Sequence, residues 1–205
     1  MKVEVFDPAG RSIVNEVGEL VCTAPFPSMP ISFWNDPDQS KYRAAYFQDY
    51  PGVWRHGDFV RLTENGGMVV YGRSDATLNP GGVRIGTAEI YGPVESIEEV
   101  SDSLVIGQQW ENDVRIVLFV VLKEGVVLDD RLRDKIRQTI VSAATPRHVP
   151  AVIVQVTDIP RTINGKKVEI AVSRLIQGKD IPNREALANP EALEQFAHVP
   201  ELQVR

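Results

Sequence analysis

Hydrophobic and polar residues alternate along the first part of the chain, and this alternation predicts short β-strands. The alternating segments are 2–6, 19–23, 53–62 and 68–71. The Asn65-Gly66 pair before the last segment predicts a hairpin turn, because both residues tolerate positive φ. A polar and aromatic segment at 33–47 predicts one short helix whose rings form a packed cap. The pattern therefore indicates a β-rich region that extends to about Arg73.

Beyond this region the pattern changes to longer apolar runs and to helical spacing. Strands are predicted at 102–106, 113–122 and 151–156, and helices at 87–96, 129–144, 168–176 and 191–197. The second of these helices has the clearest amphipathic pattern, with Leu132, Ile136 and Ile140 on one face. Asp129 suits the N-terminus of that helix. Thr87 is expected to cap the helix before it.

Residues 77–85 predict a tight β-hairpin that turns at the Pro-Gly-Gly sequence of residues 80–82. The β-rich region is then followed by a unit in the order β-hairpin, α, β, β, α, β, α. The predicted fold class is α+β, with a three-stranded sheet, a β-hairpin and flanking helices in the second part.

Composition narrows the class of protein. The chain of 205 residues has a net charge of −6, which disfavours non-specific nucleic-acid binding. Its single cysteine, Cys22, excludes an intramolecular disulfide and fits a reducing compartment. The thiol lies in an apolar run and is predicted to be buried and structural. The apolar runs are all shorter than the ~20 residues of a membrane span. We therefore expect a globular, cytoplasmic protein without nucleic-acid or membrane partners.

The segment 71–90 joins the two patterns and has an unusual composition. It contains paired arginines, two carboxylates and a glycine turn, in order Arg73, Asp75, Pro80, Gly81, Gly82, Arg84 and Glu89. An ordinary linker is rich in Ser, Pro or Lys and has no use for paired arginines. The segment is therefore either a domain linker or, as we favour, a hinge that carries active-site groups.

Other residues have both a chemical and an ordinary interpretation. Asp58 follows Gly57, and a carboxylate beside a glycine can accept two hydrogen bonds from a ribose diol, although such pairs also form simple turns. Arg73 and Arg84 can meet a phosphate bidentately or can remain solvated. Lys166 follows a glycine on a loop, where a mobile lysine can neutralise a transient anion or simply face water.

Several chemistries are not indicated by the sequence. His56 and His148 appear isolated, and His, Cys and carboxylate residues show no metal-ligand spacing, so no metal site is predicted. A nucleophile elbow of the GxSxG kind is missing. Gly-rich phosphate loops of the GxxxxGK[ST] or GxGxxG kind are missing as well.

The ordered set of motifs resembles the C-terminal third of the AMP-forming acyl-CoA synthetases, within the adenylate-forming superfamily. The motifs are GEL at 18–20, WRHGD at 54–58, GRSDATLNPGGVRIGTAEI at 72–90 and PRTINGK at 160–166. Each is weak alone, but their co-occurrence over about residues 1–180 is specific. The tail sequence NREALANPEAL and the segment TPRHVP are most similar to the acetoacetyl-CoA synthetase subgroup.

The resemblance implies a role for each matching residue. Asp58 would hold the ribose hydroxyls of ATP or AMP with help from Arg73, and Arg84 would face the nucleotide phosphates. Lys166 would bridge the carboxylate substrate and the α-phosphate during adenylation. Asp75 would be the hinge about which the C-terminal domain turns between two catalytic poses.

In the second pose the glycines Gly81 and Gly82 would approach the pantetheine of CoA. Glu89 would open the following helix and anchor the closed form. The implied cofactors are ATP, Mg²⁺ and CoA, and the implied partner is a small carboxylate, acetoacetate in the case of the subgroup.

The sequence departs from the family pattern at several positions. Trp54 and His56 replace Tyr and Thr of one motif, while Arg161 and Asn164 replace Lys and a small residue of another. Residues 81–83 read Gly-Gly-Val where acetate-type enzymes have Ser-Gly-His.

The resemblance also implies a division of the chain. Residues 1–74 would be the β-rich end of a large domain, 75–180 a small mobile domain, and 181–205 a tail with a short helix. The family's phosphate loop and acyl pocket lie upstream of these motifs, so we expect a ligase fragment that is inactive alone. Two alternatives remain open: a non-catalytic interaction module, and an adenylation domain that feeds a carrier protein.

Overall fold

The computed structural model describes residues 1–181 and 183–203. The chain divides into two compact units, Met1–Asp75 and Ala76–Arg205. Each unit has its own sheet and core, and each is described by itself below.

The first unit is built on an antiparallel five-stranded sheet with the order β2-β1-β3-β4-β5. Its strands are β1 (Val3–Phe6), β2 (Ser12–Ile13), β3 (Val17–Cys22), β4 (Trp54–Leu62) and β5 (Met68–Arg73). The β4–β5 register pairs Asp58 with Arg73, so two of the predicted site residues become neighbours. The alternation did not predict β2, because two residues are too few to show a period.

An aromatic cluster covers one end of this sheet. Helix α1 (Ser40–Tyr46) brings Tyr46 into a stacked contact with Trp54, with the ring centroids 3.6 Å apart. Cys22 lies in the same cluster and is only 3% exposed, and burial raises the pKa of its thiol. The predictions of a packed aromatic cap and a buried thiol are both confirmed.

The second unit is built on a three-stranded sheet with the order β6-β7-β8. Its elements are α2 (Ala88–Glu95), β6 (Val100–Trp110), β7 (Asp113–Leu122), α3 (Asp130–Ala143), β8 (Val152–Val156), α4 (Glu169–Ile176) and α5 (Glu194–Ala197). Strands β6 and β7 are antiparallel, and β7 and β8 are parallel. A parallel pair needs a long crossover, which α3 provides. The predicted α+β class is confirmed.

Both faces of this sheet are buried. Ile116, Leu118 and Val120 of β7 face a core shared with α2 and α3. The alternate residues Val117 and Phe119 face a second core. A strand that is covered on both faces reads as a continuous apolar run, as the sequence at 113–122 does.

The C-terminal tail supplies much of the second core. Leu193, Phe196, Val199 and Leu202 are all buried against the sheet. Phe196 packs edge-on against Phe119, with the ring centroids 4.7 Å apart. The tail therefore covers the sheet together with α4. The helix predicted at 191–197 is present as a 3₁₀ turn at Pro190–Leu193 that continues into α5.

Two local predictions are wrong. Strand β6 continues well beyond the predicted 102–106 and pairs with β7 as far as Trp110. The prediction stopped early because the residues after Ile106 are mostly polar and do not show a strand pattern. Thr87 makes no capping hydrogen bond through its side chain. Instead, Oε1 of Glu89 accepts a hydrogen bond of 2.8 Å from the Gly86 backbone N–H. By contrast, Asp129 caps α3 as expected, since its Oδ1 accepts from the Leu132 N–H at 2.8 Å.

The predicted hairpin at 77–85 is a loop closed by one pair. Leu78 and Ile85 exchange two backbone hydrogen bonds of 2.9 Å, and Pro80–Gly82 forms a 3₁₀ turn between them. Among the described helices, none has the length and apolar character that a membrane span requires.

The burial of the tail leads to a test of stability. Phe196→Ala removes a ring that is 1% exposed, so we expect a loss of roughly 3–5 kcal/mol in the free energy of unfolding of the second unit. Denaturant unfolding followed by circular dichroism measures it. Val127→Ala is the control, because that side chain is 73% exposed and its loss is expected to cost less than about 0.5 kcal/mol. Equal losses in the two variants would contradict the packing of the tail.

Candidate functional site

In the first unit, Asp58 lies on β4 between two basic side chains. Nδ1 of His56 contacts Oδ2 of Asp58, and Nη1 of Arg73 lies 3.8 Å from Oδ1. The carboxylate is 22% exposed, whereas Arg73 is 51% exposed. His56 therefore belongs to the Asp58 cluster. The expectation from the sequence that His56 is isolated is wrong. The cluster presents a carboxylate, an imidazole and a guanidinium at one place on the sheet.

Gly57 makes this cluster possible. Its φ of +83° is in the left-handed region, and a Cβ at this position would lie 2.6 Å from Nη2 of Arg73. The guanidinium therefore lies over the glycine, where no other residue type leaves room. The Gly57 N–H donates a hydrogen bond of 2.8 Å to Oε1 of Glu19, which belongs to the GEL motif. Two motifs that are distant in sequence thus meet at one peptide group.

Arg73 also reaches the predicted hinge residue. Its Nε lies 3.3 Å from Oδ1 of Asp75, and its Nη1 donates to the His56 carbonyl oxygen at 3.3 Å. Asp75 sits in a 3₁₀ turn at Ser74–Ala76, directly after β5. Arg73 therefore contacts the carboxylates of both Asp58 and Asp75.

In the second unit, Gly81 and Gly82 form the exposed tip of the 78–85 loop. Their φ angles are +56° and +79°, and no atom lies closer than 4.0 Å to a Cβ built on either residue. The Gly81 N–H donates to Oδ1 of Asp113 at 3.0 Å, which fixes the loop to the start of β7. Arg84 is exposed on the return arm of the same loop.

Lys166 directly follows a tight turn at residues 163–165, between β8 and α4. The Thr162 N–H donates to the Lys166 carbonyl oxygen at 2.8 Å, and Gly165 takes a φ of +76° to close the turn. Within the part of the chain that the structure describes, the Nζ of Lys166 makes no hydrogen bond or ion pair. The side chain is exposed and is available to an anion.

The neighbouring Lys167 is held in place. Its Nζ contacts Oε1 of Glu95, lies 2.9 Å from Oδ1 of Asp102, and sits 4.1 Å above the centre of the Tyr91 ring. Only 17% of its side chain is exposed. Two adjacent lysines therefore have opposite surroundings, and the sequence alone did not distinguish Lys167 as the anchored one.

Asp102 on β6 contacts both ends of the turn that carries Lys166. This turn, residues 161–167, is called the lysine turn below. Its Oδ2 contacts Nη2 of Arg161, and its Oδ1 pairs with Lys167. Burial by itself would raise the pKa of Asp102, but the hydrogen bonds from Lys167 and Arg161 outweigh it and lower the pKa below its ordinary value. The carboxylate is therefore charged at neutral pH.

The tail contacts the same turn from its other side. The Arg161 N–H donates to Oδ1 of Asn189 at 2.8 Å, and Nδ2 of Asn189 donates to the Ile159 carbonyl oxygen at 3.0 Å. Thr162 and Leu187 form an isolated antiparallel bridge. The tail thus packs against the segment that leads to Lys166.

Glu89 and His148 are also brought together. Nε2 of His148 lies 3.4 Å from Oε2 of Glu89, and its Nδ1 contacts Oγ1 of Thr145 at 2.9 Å. His148 is 8% exposed. The expectation from the sequence that it is isolated is wrong, because it lies against Glu89 and Thr145. The contact links the start of α2 to the segment after α3.

The predicted site residues therefore fall into two groups. Asp58, Arg73 and Asp75 belong to the first unit, and Gly81, Gly82, Arg84 and Lys166 belong to the second. Sequence reasoning missed Asp102 and Lys167, because neither lies in a motif whose chemistry was recognised. Residues 1–181 and 183–203 contain no group of three or more His, Cys, Asp or Glu side chains that could hold a metal ion.

Comparison with known proteins shows what this chain is similar to. Residues 94–166 match the AMP-binding enzyme C-terminal domain. The acetoacetyl-coenzyme A synthetase of Rhizobium meliloti (strain 1021) is 58% identical over 202 residues, which cover 98% of this chain and 31% of that protein. This chain is similar to the C-terminal part of the AMP-forming acetoacetyl-CoA synthetases. The resemblance drawn from the motifs is confirmed, including the acetoacetyl-CoA synthetase subgroup.

Further relatives support the same assignment. The acetoacetyl-CoA synthetase of Xenopus tropicalis is 47% identical over 205 residues, covering 99% of this chain and 30% of that protein. The solved structure of the acetoacetyl-CoA synthetase from Streptomyces lividans superposes with a TM-score of 0.89 at 46% identity, covering 95% of this chain and 30% of that chain. The chain thus spans about a third of the length of the relatives it matches, at 31% and 30%.

The lowered pKa of Asp102 leads to a pH-dependent prediction. Because the charged form is favoured in the folded state, its contribution to stability is present above the ordinary pKa of about 4 and is lost as the pH falls through the lower folded pKa. We expect Asp102→Asn to reduce the free energy of unfolding by roughly 1–3 kcal/mol at pH 7. The difference from the unmodified protein should shrink below about pH 4. Urea denaturation at a series of pH values measures both effects.

The control is Glu99→Gln, which removes an exposed pair between Glu99 and Lys135, whose Nζ lies 2.7 Å from Oε2. Solvent screening makes such pairs worth less, so a smaller change is expected at every pH. A stability difference for Asp102→Asn that stays constant from pH 7 to pH 3 would contradict the assigned ion pairs.

Proposed function

We propose that this chain is the C-terminal part of an AMP-forming acetoacetate–CoA ligase. In the first half-reaction, a carboxylate oxygen of acetoacetate attacks the α-phosphate of ATP, and acyl-AMP and pyrophosphate form. In the second, the CoA thiol attacks the acyl carbon, loses its proton and releases AMP. The observation that carries the proposal is the exposed Lys166 on an anchored turn, in a chain 58% identical to an acetoacetyl-coenzyme A synthetase.

Lys166 would act in the first half-reaction only. Its ammonium group would lie between the substrate carboxylate and the α-phosphate, and would stabilise the negative charge that develops there. An exposed lysine on a turn that is fixed at its base suits this role, because the charge can be delivered and then withdrawn with the whole unit. Asp75, in the turn between the two compact units, would be the hinge for that movement.

Asp58 and Arg73 would bind the nucleotide. A carboxylate accepts two hydrogen bonds from a ribose diol, and the guanidinium over Gly57 would hold the carboxylate in place. His56 contacts Oδ2 of Asp58 in this structure, so ribose binding would replace that contact. Arg84 would face the phosphates from the second unit.

Gly81 and Gly82 would line the approach of the CoA pantetheine during the second half-reaction. The open space around both glycines supports this, since a backbone without side chains permits close approach. Mg²⁺ would enter with ATP and would be bound mainly by phosphate oxygens. The enzyme would act in a reducing compartment such as the cytoplasm, which the single free thiol of Cys22 tolerates.

Replacing Lys166 tests the proposed division between the half-reactions. In the full-length enzyme, Lys166→Ala is expected to slow acetoacetyl-AMP formation by roughly 100-fold or more, because a charge aimed at the transition state is lost. Thioester formation from supplied acetoacetyl-AMP should be nearly unchanged. ATP–pyrophosphate exchange measures the first step, and CoA thioester release measures the second.

Lys179→Ala is the matched control, because Lys179 is exposed and contacts only Gln177 among the described side chains. It should leave both steps unchanged. The isolated chain should show no exchange. Equal losses in both steps for Lys166→Ala would refute the assigned role.

Two further outcomes would favour the alternative functions. Faster transfer to a phosphopantetheinyl protein than to CoA would favour a carrier-dependent enzyme. A full-length protein that is inactive towards all carboxylates would favour an interaction module.

A pair of glycine variants tests the nucleotide site. Gly57→Ala is expected to raise the KM for ATP, because the new methyl group displaces the Arg73 guanidinium, and to reduce stability through backbone strain of roughly 1–3 kcal/mol. Gly52→Ala has almost the same φ, +79°, but nothing lies within 4 Å of its Cβ. It should show the same strain with an unchanged KM. If both variants changed the KM equally, backbone strain rather than Arg73 would be responsible.

A further inference from the structure

The base of the lysine turn is held by one carboxylate. Arg161 enters the turn and Lys167 leaves it, and the two residues face each other in an antiparallel bridge. Their side chains converge on Asp102, with Arg161 at Oδ2 and Lys167 at Oδ1. The two ends of the turn are therefore joined twice, by the backbone bridge and by the side chain of Asp102.

Arg161 also connects Asp102 to the backbone next to Lys166. Nη1 of Arg161 donates to the Gly165 carbonyl oxygen at 2.8 Å, and Gly165 immediately precedes Lys166. A single guanidinium thus joins Asp102 to the residue before the exposed lysine. Any shift of Asp102 would be passed to Lys166 through two hydrogen bonds.

The surroundings of Asp102 are themselves fixed. The Ser103 N–H donates to Oδ1 of Asp102 at 2.8 Å, and the Ser103 hydroxyl donates to Oε1 of Glu95 at 2.8 Å. The Tyr91 hydroxyl donates to Oε1 of Glu169 at 3.0 Å and accepts from the Val105 N–H at 3.2 Å. Helix α2, strand β6 and the start of α4 are therefore joined around the Lys167 ammonium group.

Lys166 lies outside this cluster. The carboxylates of Glu95 and Asp102 both pair with Lys167, and Asp102 also pairs with Arg161. A third carboxylate, that of Glu169, accepts from the Tyr91 hydroxyl. Lys166 is exposed and can pair with an anion that arrives from solution.

From this geometry we propose that Asp102 is a positioning residue for Lys166: its two ion pairs fix the turn so that one lysine is anchored and the next is presented to the substrate. This inference rests on the proposed function for its catalytic consequence. The anchoring itself is a property of the chain and can be measured without catalysis.

The catalytic test uses Asp102→Asn in the full-length enzyme. The neutral amide keeps the shape but weakens both ion pairs, and a misplaced catalytic group commonly costs 10- to 100-fold in rate, so we expect acetoacetyl-AMP formation to fall by roughly that factor. Thioester formation from supplied acetoacetyl-AMP should stay within about twofold. Asp102→Glu, which keeps the charge, should recover part of the lost rate, and Glu99→Gln should have no effect on either step.

The anchoring test uses limited acetylation with acetic anhydride, mapped by peptide mass spectrometry on the same proteins. In the unmodified enzyme, Lys166 should be acetylated well before Lys167. In Asp102→Asn, Lys167 should approach the rate of Lys166. If Asp102→Asn folds poorly, Lys167→Gln gives a second catalytic comparison, because it removes the pairs of Lys167 with Asp102 and Glu95 and leaves Arg161 on Asp102.

The outcomes separate the two claims. Unchanged adenylation in Asp102→Asn, or equal losses in both half-reactions, would overturn the positioning role. Equal acetylation of the two lysines in the unmodified enzyme would overturn the anchoring. If the full-length enzyme activates no carboxylate, the proposed function fails, and the acetylation contrast alone then decides whether Asp102 anchors the turn.

Discussion

The second unit depends on the burial of β7 from both sides. A central strand that is apolar at every position from 116 to 122 cannot leave either face in water, so the chain must cover both faces. Helices α2 and α3 cover one face, and α4 with the C-terminal tail covers the other. Burying this apolar surface is the main favourable term in the folding of the unit. The edge strand β6 then carries the polar cluster around Asp102.

The lysine turn contacts this cluster. It leaves the end of β8 and enters α4, so its two ends are fixed by elements of the core. Asp102, on the opposite edge strand β6, and Asn189, in the tail, hold the same turn from two directions. The result is a turn whose base is held by several contacts, with the exposed side chain of Lys166 next to that base. That arrangement suits a catalytic group that must be placed accurately and then moved as part of a larger body.

In the first unit, two neighbouring strands and one glycine are enough to place the charged side chains. Antiparallel pairing of β4 and β5 places Asp58 opposite Arg73, and the absence of a side chain at Gly57 leaves room for the guanidinium. Arg73 contacts Asp58 and the turn residue Asp75 with one side chain. The carboxylate proposed to bind the nucleotide and the residue proposed as the hinge are therefore both in contact with one arginine.

The sequence by itself determined most of the strands and helices, the α+β class and the family resemblance, because these depend on local periodicity and on short motifs; it missed β2 and the second half of β6. It also marked Lys166, Asp58 and Arg73. It did not determine that the tail belongs to the core, since the tail's apolar residues are spaced irregularly around prolines. Nor did it separate Lys166 from Lys167, which are chemically identical neighbours. Only the tertiary structure decided that difference, because it depends on which carboxylates β6 and α2 bring to the base of the turn.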